Sequence, residues 1–207
     1  MSNKDIYLIG VGNYTEVIIE LAQECGFSIK GLYHYNNTRN GEKVMDIPII
    51  SSFDSIVEEG KVFGNNFVVT VGDNHKRSEI ANLIREKGGF TPNLIHPLAN
   101  VSKSSSIGTG CLIHANAHLW TKSVIENDCI IGLNAVVSHH SILKKSCYLT
   151  SLSLVGSYCK IGENTFIGLN SVVLPSLKLG ENCFVGSKSN VTKSYPSNST
   201  IKGNPAK

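Results

Sequence analysis

Two adjacent histidines are the residues of this sequence best suited to acid–base chemistry. They lie in the string Ser138-His139-His140-Ser141. An imidazole with an ordinary pKa of about 6.5 can accept a proton near neutral pH and return it, as a general base must. The six-residue periodicity described below predicts that His139 stands at an exposed corner rather than in the core. A solvated corner histidine without a catalytic role is the alternative interpretation.

A glycine-rich turn is the second feature that suggests chemistry. Gly10 and Gly12 separate a predicted strand from a predicted helix. Such glycines let a ligand approach the helix N-terminus, where free N–H groups bind anions. The third glycine of a dinucleotide-binding motif is missing, and His34-Tyr35 stands where an acidic residue would follow the second strand. These residues favour a nucleotide or phosphate contact over dinucleotide binding, with a tight turn and no ligand as the alternative.

A zinc site is a further chemistry that the seven histidines suggest. His114 and His118 are the best-spaced pair, but the repeat places them on different faces. The sequence therefore predicts no metal site.

The elements that position these residues change character near residue 100. In the first hundred residues, strands alternate with helices, which is typical of a small parallel α/β unit. The predicted strands cover residues 6–9, 29–33 and 67–71, and the predicted helices cover residues 15–25, 51–59 and 74–87.

A six-residue repeat organises the rest of the chain. From Val101, every sixth residue is a branched aliphatic, sixteen times in register, and the residue four positions later is Ser, Ala, Cys or Thr in fourteen cases. This is the hexapeptide repeat of a parallel β-helix, with three hexads per coil. We expect the aliphatic and the small side chain to point inward. We also expect the glycine that follows the aliphatic in seven hexads to supply unusual backbone angles at the corners.

Composition supports two units with different partners. Hydrophobic residues make up 41% of the 207 residues and charged residues 17%, which excludes a disordered chain. Residues 1–100 carry 9 Lys/Arg against 12 Asp/Glu, and residues 101–207 carry 10 against 4. The resulting +6 of the second half fits a small polyanion better than nucleic acid, which usually requires a dense basic stripe. We predict a Rossmann-like α/β domain over residues 1–96 and a β-helix with a C-terminal tail over residues 97–207.

Localisation follows from what the sequence pattern lacks. The chain shows no signal-peptide pattern and no apolar run of the ~20 residues that a membrane span needs. We therefore expect a cytoplasmic protein without a membrane span, whose six cysteines are reduced thiols. Five of them occupy the small inward position of a hexad.

Several motifs, in this order, resemble one family. It is the family of the sialic acid O-acetyltransferases and the UDP-4-amino-sugar (bacillosamine pathway) N-acetyltransferases. The motifs are residues 10–15, the Gly-Asp-Asn at 72–74, the Asn-Leu-Ile-His-Pro junction at 93–97, the hexads with residues 166–175, and the terminal Gly-Asn-Pro-Ala-Lys at 203–207. The resemblance implies a homotrimer of left-handed β-helices, acetyl-CoA as co-substrate in the groove between neighbouring helices, and a nucleotide-linked sugar on the N-terminal domain.

The resemblance also assigns residues. His139 takes the position of the family's catalytic base, and His140 replaces the acidic neighbour that is thought to raise the basicity of that histidine. The implied sugar-site positions are Gly12, Asn13, Tyr14, His34, Tyr35 and Gly72. The implied acetyl-CoA positions are Tyr148, Leu169 and Ser187. From the position of corner residues we add Gly156, whose N–H is a candidate oxyanion donor, Gly186, and Lys188, Lys202 and Lys207 as candidate phosphate contacts.

The function expected is acetyl-CoA-dependent N-acetylation of the amino group of a nucleotide-linked 4-amino-deoxy sugar, for bacterial surface polysaccharide biosynthesis. Two alternatives stay open. One is a hydroxyl acceptor, as in sialate O-acetylation, although a hydroxyl is a poorer nucleophile and the carboxylate beside His139 is missing. The other is a binding or scaffold protein without catalytic activity, which the changed residues at positions 14, 34 and 140 leave open.

Overall fold

The computed structural model describes residues 4–207, apart from the side chain of Asn37. The chain divides into two compact units, one ending at Leu94 and one spanning Ile95–Lys207, two residues before the boundary expected from the sequence. Within residues 4–207, every helix is too short or too polar to traverse a lipid bilayer.

The N-terminal unit is an α/β sheet. Its strands are β1 (Asp5–Ile9), β2 (Ser28–His34), β3 (Lys43–Val44), β4 (Ile47–Ser52) and β5 (Phe67–Val69). Its helices are α1 (Asn13–Glu24), a 3-10 turn (Asn37–Arg39), α2 (Phe53–Glu58) and α3 (Asn74–Glu86). The strand order is β3-β4-β2-β1-β5, parallel except for the β3–β4 pair. The β3–β4 hairpin is an addition to the strands expected from the sequence.

The helices of this unit form where apolar residues recur at helical spacing and where a side chain caps the first turn. Helix α1 buries Ile18, Ile19 and Ala22, a spacing that places one face against the sheet. Helix α3 begins at a side-chain cap, because the Asp73 carboxylate accepts the Lys76 N–H at 2.8 Å.

The C-terminal unit is a left-handed parallel β-helix of two-residue strands. Sheet I contains Asn100–Val101, His118–Leu119, Val136–Val137, Leu154–Val155, Val172–Val173 and Asn190–Val191. Sheet II contains Ser106–Ile107, Val124–Ile125, Ile142–Leu143, Lys160–Ile161 and Lys178–Leu179. Sheet III contains Leu94–Ile95, Leu112–Ile113, Ile130–Ile131, Tyr148–Leu149, Phe166–Ile167, Phe184–Val185 and Thr200–Ile201. The turn from sheet I to sheet II is called corner I/II here, and that from sheet III to sheet I is corner III/I.

The register of the coils is the one that the repeat predicts. Val137 pairs with Val155, and Ile131 pairs with Leu149, each 18 residues apart. The repeated aliphatic residues form the core and are fully or almost fully buried from Ile113 onward. Two at the N-terminal end, Val101 and Ile107, are only half-buried.

The small inward position has a hydrogen-bonding role that composition does not reveal. The Ser141 hydroxyl donates to the Gly156 carbonyl at 2.6 Å, and the Cys129 thiol donates to the Lys144 carbonyl at 3.2 Å. In both cases the acceptor lies 15 residues later, in the next coil. Ser, Thr and Cys therefore satisfy buried corner carbonyls that Ala leaves without this donor.

The expectation of unusual backbone angles at the corner glycines is wrong. Gly132 and Gly168 do not have positive φ; the left-handed residues lie two positions later and include Asn134 at φ +55° and Asn170 at φ +53°. Glycine is required for space instead, because a Cβ at Gly168 would lie 2.6 Å from the Ser187 nitrogen of the next coil. The corner glycines therefore lie where neighbouring coils touch, and the left-handed position two residues later holds Asn in some coils and other residue types, such as Leu152 and Tyr158, in others.

Candidate active site

The predicted sugar-site residues of the N-terminal unit gather at one edge of the sheet. Strands β1, β2 and β5 are parallel and end at Ile9, His34 and Val69. The loops that follow contain Gly12, Tyr35 and Gly72 respectively. Ligands of open α/β sheets bind at this carboxyl edge, where neighbouring loops diverge.

The glycine-rich loop is held in a fixed shape. Gly10 has φ +126°, and a Cβ there would collide with the Thr70 hydroxyl. That hydroxyl donates to the Ile9 carbonyl at 3.0 Å and is 2.8 Å from the Thr15 hydroxyl. An Arg39 Nη donates to the Val11 carbonyl at 3.2 Å, while the Nε of the same guanidinium pairs with the Glu42 carboxylate at 2.8 Å. The turn therefore requires glycine at position 10, and Arg39 brings a cation to it.

The start of α1 is open to solvent. Gly12 is the N-cap residue with ψ 177° and makes no side-chain cap, and a Cβ added to it would have no other atom within 4 Å. Asn13 is exposed and Tyr14 half-buried. The helix N-terminus thus has free surface around it, as anion binding requires.

The two residues that follow β2 differ in access. His34 is only 7% exposed, and its Nδ1 lies 2.8 Å from the Asn36 Oδ1. Tyr35 is 70% exposed and its ring centroid lies 3.8 Å from that of His34. Tyr35 therefore offers a contact surface, while His34 has little surface left for a ligand.

A buried arginine fixes the loop that contains Gly72. Arg77 is 1% exposed and donates to the carbonyls of Val71 and Gly72 at 3.2 Å and to the Asn74 Oδ1 at 2.8 Å. Hydrogen bonds from a buried charge are strong, so this loop is rigid.

A cavity of about 330 Å³ opens at the same edge. Its lining includes Ile9, Tyr35, Phe53, Asp54, Lys76 and Glu79. The volume is at the lower end for small-molecule sites, and the lining combines apolar walls with both signs of charge.

His139 stands at corner I/II, as the repeat predicts, and it does not stand alone. Its Nδ1 is 3.0 Å from the Nδ1 of His140. The ring of Tyr158, one coil later, stacks on His140 with centroids 4.9 Å apart and an interplanar angle of 18°, and meets His139 edge-on at 5.3 Å. His139 is half-buried, and His140 and Tyr158 are exposed. The three rings form a cluster, called here the histidine cluster.

Gly156 lies at the same corner, but its predicted oxyanion role is wrong. Its N–H donates to the Val173 carbonyl at 2.9 Å, a ladder bond between coils. A donor already used in this way is not aimed at a developing oxyanion.

The predicted acetyl-CoA residues lie mostly at corner III/I. Leu169 and Ser187 stack in successive coils, since Ile167 pairs with Val185 and the Lys188 N–H donates to the Leu169 carbonyl. The Lys202 side chain covers Gly186, with Cγ 3.0 Å from the Cβ position of that glycine. Backbone hydrogen bonds in both directions pair Lys202 with Lys207. Lys188, Lys202 and Lys207 are all exposed, so this corner concentrates positive charge.

An aromatic ladder leads along sheet III to these lysines. Tyr148 meets Phe166 edge-on with centroids 5.4 Å apart, and Phe166 stacks on Phe184 at 5.2 Å and 5°. The Lys202 ammonium lies 6.0 Å from the Phe184 ring centroid. The ladder connects Tyr148 and Lys202, two predicted acetyl-CoA contacts. Corner III/I and corner I/II, however, are separated by the width of sheet I, so one copy does not bring Lys202 beside His139.

Burial changes the protonation of groups outside the histidine cluster. The pKa of His114 is lowered to about 4, first by burial and then by the nearby His96. Burial raises the pKa of the Cys129 thiol well above its usual range, and it also raises that of Cys159. Among the described residues, no group of three or more His, Cys, Asp or Glu side chains is placed to hold a metal ion.

Sequence reasoning misses Tyr158, Arg39 and Arg77. The 18-residue repeat contains a signal for Tyr158, because the residue one coil after His140 is residue 158. No sequence motif marks the two arginines as loop-binding residues, because their contacts to the glycine-containing loops are to backbone carbonyls.

Comparison with protein families covers both units. Residues 5–84 match the PglD N-terminal domain. Residues 158–193 match the bacterial transferase hexapeptide (six repeats), and residues 123–142 match the hexapeptide repeat of succinyl-transferase. The β-helix with these repeats defines a hexapeptide acyltransferase and confirms the predicted fold class.

Solved structures match the chain over almost its whole length. A perosamine N-acetyltransferase variant from Caulobacter crescentus, in complex with CoA and GDP-perosamine, is 28% identical over 98% of this chain and 95% of that chain, with a TM-score of 0.91. The acetyltransferase domain of PglB from Neisseria gonorrhoeae FA1090, in complex with acetyl coenzyme A, is 26% identical over 100% and 99%, with a TM-score of 0.90. A comparison with curated sequences gives no match. The chain thus combines a PglD-type N-terminal domain with hexapeptide repeats, and over nearly its whole length it is similar to sugar N-acetyltransferases.

Proposed function

We propose that this protein transfers the acetyl group of acetyl-CoA to the amino group of a nucleotide-linked 4-amino-deoxy sugar. The observation that carries the proposal is the match across both units to an enzyme bound to CoA and GDP-perosamine. A β-helix alone would support only acyl transfer; the matched N-terminal domain adds the nucleotide sugar. We assign the product to bacterial surface polysaccharide synthesis in the cytoplasm, where both co-substrates occur.

His139 acts as the general base in this proposal. The neutral sugar amine attacks the thioester carbonyl, and the Nε2 of His139 takes the amine proton, directly or through one water. The C–N bond forms, the C–S bond breaks, and the proton passes to the departing CoA thiolate. General-base catalysis of this kind contributes about 10²- to 10⁴-fold.

The substrate residues divide between the two units. In the N-terminal unit, the N-terminus of α1 with Gly12 and Asn13 suits the diphosphate, and Tyr14, Tyr35 and Gly72 suit the nucleotide sugar. In the β-helix, Lys188, Lys202 and Lys207 suit the phosphates of CoA, and the ridge of Leu169 and Ser187 suits the extended pantetheine arm.

A homotrimer supplies the arrangement that one copy lacks. His139 and Lys202 lie at different corners of the triangular coil, separated by sheet I. In a closed threefold assembly, corner I/II of one copy faces a neighbouring copy, so that the base and the CoA-binding corner share one groove. Sedimentation of the protein tests this directly, with a trimer expected and a monomer at micromolar concentration against it.

Kinetics test the function. Thiol release from acetyl-CoA is followed with UDP-, dTDP- and GDP-linked 4-amino-4,6-dideoxy sugars, for the wild type and for His139→Ala. We expect release with one of them and a loss of about 10²- to 10⁴-fold in kcat/KM for the variant. His75→Ala, which changes an exposed histidine of α3, is the matched control and should retain activity. Release that survives His139→Ala unchanged would refute the assignment of the base.

Two other functions are distinguishable in the same experiment. Release with a sugar hydroxyl acceptor and none with any amino sugar would indicate O-acetylation. Calorimetry that detects neither CoA nor nucleotide-sugar binding would favour a scaffold without catalytic activity.

A further inference from the structure

The histidine cluster has no carboxylate in its own corner that could hydrogen-bond to the proposed base, His139. The turns of corner I/II cover residues 102–105, 120–123, 138–141, 156–159 and 174–177, and none of these residues is Asp or Glu. The atom within hydrogen-bond distance of the His139 Nδ1 is instead the Nδ1 of His140, at 3.0 Å. Within this corner, the His139 ring is therefore not oriented by a carboxylate.

We infer that His140, clamped by Tyr158, is the positioning residue that holds His139 in the tautomer able to act as a base. The inference rests on the proposed function for its catalytic consequence but not for its geometry.

The tautomer follows from the two nitrogen atoms. One Nδ1 must donate its N–H and the other must accept, because two lone pairs or two N–H groups would repel at 3.0 Å. If His140 donated, His139 would carry its proton on Nε2 and have no free lone pair. If His139 donates, its Nε2 lone pair is free to take the amine proton. Only the second arrangement makes His139 a base.

Tyr158 packs against the face of the His140 ring. The two rings are nearly parallel, with an interplanar angle of 18°, so the Tyr158 ring limits movement of the His140 ring out of its plane. Tyr158 has φ +60°, a left-handed conformation that is costly for a bulky side chain and that Asn adopts at several positions of the other corners.

The charge balance of the cluster differs from that of a histidine–carboxylate pair. When His139 takes the amine proton, its Nδ1–H still donates to neutral His140, and the bond becomes charge-assisted. The other titratable groups at the cluster are Lys122, one coil earlier in the column of His140, Tyr158, one coil later, and Lys160 on the adjoining strand of sheet II.

Nitrogen NMR of the resting enzyme tests the tautomer without any activity. In the wild type labelled with ¹⁵N-histidine, we expect the His139 ring to carry its proton on Nδ1 at a pH where both rings are neutral. In His140→Ala the proton should move to Nε2, the form preferred in water. A wild-type His139 with its proton on Nε2 would overturn the inference, whether or not the protein acetylates any sugar.

Kinetic variants test the catalytic consequence. His140→Ala should lower kcat by about 10- to 100-fold with little change in KM for acetyl-CoA. His140→Asp should restore much of kcat and move the acid limb of its pH profile upward, since a carboxylate stabilises the imidazolium. A purely structural residue would show neither the rescue nor the shift, and their absence would contradict the inference.

Variants of Tyr158 separate stacking from stability. Tyr158→Phe keeps the ring and should retain kcat, whereas Tyr158→Asn should lower kcat about 10-fold while the protein unfolds at equal or higher denaturant. Leu152→Asn makes the same change at another left-handed corner, φ +62°, and is the control for the stability gain alone. Full kcat in Tyr158→Asn would refute the clamp. If the wild type acetylates no amino sugar, the proposed function fails, and the NMR result still decides the inference.

Discussion

Acidification should destabilise the β-helix through His114. The pKa of this imidazole is about 4 in the folded protein, because burial disfavours its charged form and His96 adds to the effect. In the unfolded chain the pKa is about 6.5. Between these values the unfolded state binds more protons than the folded state, so stability falls as pH falls. The contribution that neutral His114 makes to the free energy of unfolding is fully present above about pH 6.5 and is lost as the pH falls toward 4.

The magnitude follows from the size of the shift. One pKa unit corresponds to about 1.4 kcal/mol, so lowering the pKa of His114 from 6.5 to about 4 costs about 3 kcal/mol of unfolding free energy at acid pH. This is a large fraction of the stability of a typical domain.

Urea unfolding of the wild type and of His114→Gln measures the loss. At neutral pH the variant should be the less stable protein, because it disturbs a packed site. Toward pH 4 the difference should shrink by about 3 kcal/mol and reverse, since glutamine does not titrate. His75→Gln, at an exposed histidine, is the matched control and should follow the wild type. Parallel loss of stability in the wild type and His114→Gln would refute the reasoning.

Three further outcomes are expected. Gly168→Ala should lower the free energy of unfolding by about 1–3 kcal/mol in thermal or urea denaturation, because the added Cβ would lie 2.6–2.8 Å from three backbone atoms. Gly12→Ala is the control: its Cβ would have no other atom within 4 Å, so the free energy of unfolding should not fall. Lys202→Gln should raise KM for acetyl-CoA up to about fivefold with kcat unchanged, as for the loss of one exposed charge contact; an unchanged KM would remove this lysine from the CoA site. A thiol reagent at mildly alkaline pH should titrate half-buried Cys25 in the native protein and Cys129 only after unfolding, because burial raises the pKa of the Cys129 thiol; rapid native reaction of Cys129 would contradict its burial.

The repeat makes the β-helix predictable because its period is set by packing. Every sixth residue must fill the core, so a run of aliphatics at that spacing fixes the coil length, the strand register and the corner at which His139 stands. The corner backbone is not predictable in the same way. Glycine and asparagine both suggest left-handed φ, and only the distance to the next coil shows that Gly168 is there for space and Asn170 for conformation.

The N-terminal unit is less completely predictable because its contacts are less regular. Its main helical and strand patterns are recognisable, but the β3–β4 hairpin, with Pro48 inside a strand, is not. The burial of His34 and the exposure of Tyr35 depend on how the end of β2 and the residue after it pack in the folded unit. Arg77 donates to residues only three to six positions earlier, but the loop shape that brings their oxygen atoms to its guanidinium is not visible in the residue types. Tyr158 acts on a residue 18 positions earlier, a partner set by tertiary contact, which local residue types do not encode.

The identity of the bond formed is the most direct test of the account. The protein is incubated with acetyl-CoA labelled with ¹³C in the acetyl carbonyl and with a ¹⁵N-labelled nucleotide-linked 4-amino sugar, and the product is examined by NMR. We predict a direct ¹³C–¹⁵N coupling, which appears with the wild type and is lost with His139→Ala. An acetyl group on a sugar oxygen, no transfer to any amino sugar, or an amide formed equally well by His139→Ala would contradict it.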